Sequence, residues 1–246
     1  MAWMNKLQYE VFSGNEWGTK PVAVTNVGTC NSIQGLYGEK DNCSYTNLTV
    51  IEKSAKAQLA ATDTIQVVSS SASDTTQTVT LEGANSSGAY ISETIALTGN
   101  TAVDSTSALW KAVHNVYLSA ACAGNITVRR KTGATGIWVI AIGDFTPKSA
   151  SYVVPLNKKC GYLSDFWATT NEAGTVGVFI SSAQVLDATT ITWLPVWERV
   201  IADTGGNTES KHFYMPIRVP AGYAVSVQAT GSATADVKGM LMGWNE

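Results

Sequence analysis

Charge is what this sequence has least of: Asp, Glu, Lys and Arg make up 14% of its 246 residues, against roughly 25% in an ordinary soluble domain. The formal net charge is −3, and the basic residues form no stripe, so direct binding to a nucleic-acid backbone is not expected. The densest basic run, Arg129-Arg130-Lys131, reads as a solvated strand end. Long apolar runs are missing too: no stretch approaches the ~18 residues that a membrane-spanning helix needs. The opening residues Met1-Ala2-Trp3-Met4-Asn5-Lys6 lack the charged and apolar regions of a secretory signal, so export by that route is not expected.

Metal-binding and catalytic patterns are equally scarce. Histidine occurs only at His114 and His212, and no pair among Cys30, Cys43, Cys122 and Cys160 has metal-ligand spacing, so neither metal nor cofactor is expected. Cys30 and Cys43 flank a loop in which a disulfide would close easily, yet free thiols are expected without an oxidising compartment. The acceptor triplets at Asn42, Asn47, Asn85 and Asn125 have no glycosylation role without export. No Gly-x-Ser-x-Gly elbow occurs, and the glycine-rich turns have hairpin spacing, not that of a phosphate loop. His212 lies near Glu209, and carboxylates stand at Glu82, Glu93, Asp165, Glu172 and Glu198, but no spacing singles out an acid–base pair. An enzyme is not expected.

What the chain does have is a two-residue rhythm. Gln77-Thr78-Val79-Thr80-Leu81-Glu82-Gly83 and Tyr223-Ala224-Val225-Ser226-Val227-Gln228-Ala229 alternate apolar with polar residues and end at turn formers. That period places one set of side chains inside a sheet and the other outside, and its repetition at short intervals predicts an all-β protein. In the first half, strands are predicted over 64–69, 76–82, 89–97 and 125–130, with a hairpin across Gly83–Gly88. The segment from Ser107 to Tyr117 fits a short helix or an irregular strand, and places His114 at a core boundary. Further strands are predicted over 136–142, 151–156, 161–169, 174–181, 189–197, 211–219, 222–230 and 234–243, enough to fill a jelly roll.

Residues 1–54 read instead as an irregular, extended N-terminal arm, 55–135 as a small β-sandwich and 136–246 as a jelly-roll domain. A break near Lys131–Gly136 is expected, although so short a segment also fits a hairpin turn. Ser, Thr, Asn and Gln supply the polarity that charge does not. Such a surface is easily desolvated against a neighbouring subunit, and it equally reflects strand and turn propensities. The aromatics Trp3, Tyr9, Phe12, Trp17 and Tyr37 in the irregular segment, with Trp193 and Trp197 later, are candidate contacts with another subunit or a partner. Carbohydrate binding is the second reading, through flat indoles at Trp138, Trp167, Trp193, Trp197 and Trp244.

Val79-Thr80-Leu81-Glu82-Gly83, the stretch from Gly88 to Gly99, and Gly124-Asn125-Ile126-Thr127-Val128-Arg129 resemble a module of tailed-bacteriophage virion structural proteins. Val219-Pro220-Ala221-Gly222-Tyr223 and Ala235-Asp236-Val237-Lys238-Gly239 resemble the closing strands of their jelly-roll partners. The resemblance implies a capsid, vertex-decoration, neck or tail component without catalytic residues. It further implies assembly in the host cytoplasm into the virion as a homo-oligomer, a trimer or ring, in contact with other virion proteins. A glycan partner belongs only to the second reading.

Overall fold

A computed structural model describes residues 34–43, 49–50, 59, 61–107, 109–170, 174–181, 192–201, 207–229 and 235–246. In chain order the strands are β1 (Gln34–Cys43), β2 (Thr49–Val50), β3 (Ile65–Ser69), β4 (Thr78–Asn85), β5 (Tyr90–Ala96), β6 (Val103–Asp104), β7 (Trp110–Leu118), β8 (Ile126–Arg130), β9 (Gly136–Ile140), β10 (Ser151–Val153), β11 (Cys160–Thr170), β12 (Gly174–Ser181), β13 (Trp193–Ile201), β14 (Asn207–Pro220), β15 (Ala224–Ala229) and β16 (Ala235–Asn245). They form four sheets, ordered β6-β3-β8-β9, β5-β4-β7, β1-β16-β11-β14 and β10-β15-β12-β13, with every described pair antiparallel. β2 and β10 lie end to end along one edge of β15, pairing at Gln228–Ala229 and Ala224–Ser226 respectively.

Two hydrophobic cores separate the sheets into sandwich-like pairs. The smaller pair, β3 to β9, closes over Ile65, Val67, Leu81, Trp110, Ile126, Val128 and Ile140. The alternation read from sequence shows directly in β3, whose residues are by turns buried and half-buried. The larger pair closes over Val154, Leu163, Phe166, Val178, Val219, Val227 and Leu241. Apolar area removed from water at about 25 cal/mol per Å² drives both closures.

Three expectations are corrected. Residues 34–43 and 49–50, expected within an irregular arm, pair with β16 and β15 and so belong to the larger sheets. The strand at 136–140, expected to open the second domain, pairs with β8 and places Ile137 and Trp138 in the first core. The break expected near 131–136 is a hairpin turn, with a 3-10 turn over Thr132–Ala134 and Gly133 at φ +76°. The connection between the cores runs instead through residues 141–150. The smaller sandwich thus lies in the chain between β2 and β10 of the larger one.

Candidate interaction face

The outer face of the sheet β1-β16-β11-β14 carries the densest set of candidate contact residues. Along β16, Val237, Gly239, Leu241, Gly243 and Asn245 are buried, and Lys238, Met240, Met242 and Trp244 point the other way. β11 alternates in step, with Leu163, Phe166 and Ala168 inside and Tyr162, Asp165 and Trp167 outside. Strand register then sets the outward residues in rows: Trp244 beside Tyr162 beside Arg218, Met242 beside Asp165 beside His212, and Met240 beside Trp167 beside Ser210. Tyr37 of β1 occupies the register position next to Met240.

Aromatic stacking and polar contacts organise the first row. The rings of Tyr162 and Trp244 stack with centroids 5.3 Å apart and planes at 24°. The Glu246 carboxylate accepts from Lys159 Nζ at 2.9 Å, Tyr162 Oη at 3.0 Å and Cys160 Sγ at 3.5 Å. Those donors, Lys159 first, hold the Glu246 carboxyl below the usual range. The Tyr162 hydroxyl is pushed up to about 12, by its bond with Cys160, then by Glu246 and burial. Arg218, on the far side, hydrogen-bonds Cys160 and Tyr162.

In the second row, His212 Nδ1 lies 2.5 Å from Asp165 Oδ1, and the imidazole meets Tyr214 edge-on at 5.6 Å. Among the described side chains, the partner of His212 is Asp165 across the strand pair; the Glu209 side chain, considered from sequence, lies outside those described. An aspartate that orients an imidazole is a familiar part of hydrolytic sites. Here, however, the His212 side chain is 60% exposed, so water screens the charges that a preorganised, dry site would stabilise. Among the described residues, no group of three or more His, Cys, Asp and Glu side chains could hold a metal ion.

The edges bounding this end of the molecule are irregular. Leu163 pairs with Ile217 and Asp165 with His212, so Phe213, Tyr214, Met215 and Pro216 bulge out across from Ser164 alone. Phe213 turns inward onto Phe166, with centroids 6.2 Å apart, whereas Tyr214 and Met215 remain 93% and 86% exposed. β13 ends the other sheet with a similar device. Val178 pairs with Trp197 and Phe179 with Pro195, which leaves Val196 as the extra residue. Leu194 and Val196 are 55% and 39% exposed there. A bulge and a proline both spoil a strand edge for further pairing. These two neighbouring edges therefore offer apolar side chains, not open backbone.

The other candidates are dispersed. Trp193 is half-buried against Val153 and Ala224, and Trp197 lies on the same strand opposite Val178. Trp138 is buried in the smaller core, with its indole N–H on the Val113 carbonyl, so it offers no flat face to a ligand. Trp3, Tyr9, Phe12, Trp17 and Cys30 lie outside the described residues. Cys122 and Cys160 are buried free thiols. His114 is buried beside a cavity of about 20 Å³ shared with Asn115, Tyr117, Trp138, Pro147 and Tyr152, room for roughly one water molecule. The sequence reading named Asp165 among the carboxylates without pairing it, and missed Tyr162, Arg218, Tyr214 and Met215. Outward parity on β11 was available as a signal, but the neighbours across strands were not.

No family model and no curated protein matches the chain. Among solved structures, it is similar to a chain of "Structure of infectious bursal disease virus Gx strain" at 11% identity, over 86% of this chain and 70% of that chain. The TM-score is 0.21, and a likeness at that level carries no argument about fold or function.

Proposed function

We propose that this chain is a structural component of a bacteriophage virion, assembled in the host cytoplasm, that self-associates and docks onto other capsid, neck or tail proteins. One observation carries the reading: the adjoining edges β13 and β14 are closed to strand addition yet expose Leu194, Val196, Tyr214 and Met215. Apolar side chains on guarded edges suit a finite contact with a neighbouring subunit, because open-ended pairing is blocked while burial is still favourable. The low charge works in the same direction, since little ionic surface has to be desolvated. Strand orders β1-β16-β11-β14 and β10-β15-β12-β13 support a jelly roll for the larger sandwich, with the smaller one inserted between β2 and β10. A trimer or ring is the proposed form, with Trp3, Tyr9, Phe12 and Trp17 among the docking residues.

Light scattering of the purified chain tests this reading. A defined oligomer is expected, and Tyr214→Ser combined with Met215→Ser is expected to shift it toward monomer with an unchanged circular dichroism spectrum. A wild-type chain that stays monomeric at all concentrations overturns it.

A second reading, glycan binding, draws on Trp167 and Trp244, both half-buried on one sheet face with Tyr162, Asp165 and Arg218. Indole faces pack on sugar rings while charged and amide groups bond hydroxyls. A monomer that binds immobilised glycans and loses them with Trp244→Ala would put this reading first.

A further inference from the structure

We propose that a hydrogen-bond relay ending on Glu82 latches the two sandwiches into one body. Three donors converge on this carboxylate within the smaller sandwich: Tyr90 Oη at 3.0 Å on Oε1, and Tyr117 Oη at 3.2 Å and Asn115 Nδ2 at 3.3 Å on Oε2. Two of them also reach across the junction. Asn115 Nδ2 donates to the Val153 carbonyl of β10 at 3.0 Å. Tyr117 is hydrogen-bonded to Tyr152 of β10, and Tyr152 Oη in turn accepts from Asn245 Nδ2 of β16 at 2.7 Å. Asn115, Tyr152 and Asn245 are all buried.

Proton inventory gives the relay a direction. An ionised carboxylate only accepts, so the single proton of Tyr117 is committed to Glu82. Tyr152 must then be the donor between the two phenols, which leaves its oxygen free to accept from Asn245. The phenol bonds therefore run from the larger sandwich toward Glu82, while Asn115 donates the other way onto Val153, and the terminal charge strengthens the chain behind it. The phenols remain protonated donors at neutral pH. Burial, then the neighbouring Tyr152 and Glu82, pushes Tyr117 well above its ordinary value, and burial followed by Glu82 raises Tyr152 as well. Tyr90 is pushed up to about 12 by burial and Glu82.

Backbone hydrogen bonding reinforces this junction. The connector adds one, Leu118 N–H to the Phe145 carbonyl at 2.8 Å. Directional bonds thus tie β7 of the smaller sandwich to β10 of the larger one. Each sandwich keeps its own core, so severing the relay is expected to release the joint without unfolding either side.

Hydrogen exchange and calorimetry on the full chain test the latch. Tyr152→Phe keeps the ring and removes the link, and Tyr117→Phe cuts the same link from the other side. Tyr90→Phe is the control, because Tyr90 touches Glu82 without reaching the larger sandwich. Both link variants are expected to speed exchange about tenfold at residues 113–118 and 143–154 only, and to split one heat-absorption peak into two. The control is expected to leave a single peak. Unchanged junction exchange with a single peak in both link variants overturns the proposal. So does global unfolding of both, since the joint would then be inseparable from the cores.

Discussion

Asp74 is a buried carboxylate that ties two loops of the smaller sandwich together. It accepts from Ser69 Oγ at 2.5 Å and from the backbone N–H groups of Ala123 and Gly124 at 2.8 and 3.0 Å. Burial alone would raise its pKa, but these donors outweigh burial and hold it below the ordinary value of 3.8. Asp63 is depressed in the same way: burial opposes, while Thr132, Thr64 and Arg130 outweigh it. A carboxylate depressed in the folded state contributes stability above its unfolded pKa and loses it as pH falls through the folded value. The melting temperature is therefore expected to hold from pH 7 to about 5 and to fall below about 4, as a pH series of thermal melts would show. Asp74→Ala strands the Ser69 hydroxyl and two N–H groups, and is expected to cost about 3 kcal/mol at pH 7. At pH 3 the cost should shrink, because the unfolded carboxylate is then largely protonated and must give up its proton to fold. A penalty equal at both pH values would contradict the assignment.

Strands make their strongest demands where backbones approach closely. A Cβ built on Gly83 of β4 would lie 2.0 Å from the Ala112 carbonyl oxygen of β7, and its other nearest atoms are backbone of that same strand. Gly83→Ala must push these strands apart, so a loss of at least about 2 kcal/mol is expected in denaturant unfolding. Because Gly83 follows Glu82, the same change should disturb the junction. Local pattern made the β4–β5 hairpin legible, since Val79, Leu81 and Ile95 alternate cleanly with polar residues. β7 resisted a single reading for a physical reason: Ala112 through Val116 are all buried. One side of that strand packs in the smaller core, the other meets β10 and the connector, and two register shifts against β4 break its parity. β1 was illegible in another way. Glycine, charge and a bulge obscure its period, and its partner β16 lies at the opposite end of the chain. At the outer face, the rhythm revealed which residues look outward. Only the register revealed that Asp165 meets His212 and Tyr162 meets Arg218.

At the scale of the whole molecule, β1 belongs with the larger sandwich although the smaller one separates it from the rest. Removing residues 1–50 deletes β1 and β2, and uncovers the β16 edge from Ala235 to Gly243. Such a truncation is expected to destabilise the larger sandwich selectively, leaving the smaller one near its wild-type melting temperature. Calorimetry of the truncated chain checks this, and an unchanged larger transition would show that β1 adds little. Residues 34–43 and 49–50 are therefore no freely removable docking arm.

The pairing of Gln34 with Gly243 also sets the order of events at the ribosome. β1 emerges long before its partner β16, so it must stay unpaired throughout translation of everything between. Meanwhile the inserted sandwich, complete by Ile140, has all its partners at hand. Nascent chains should accordingly shelter one finished core while β1 waits, exposed to wrong partners, for β16 to emerge.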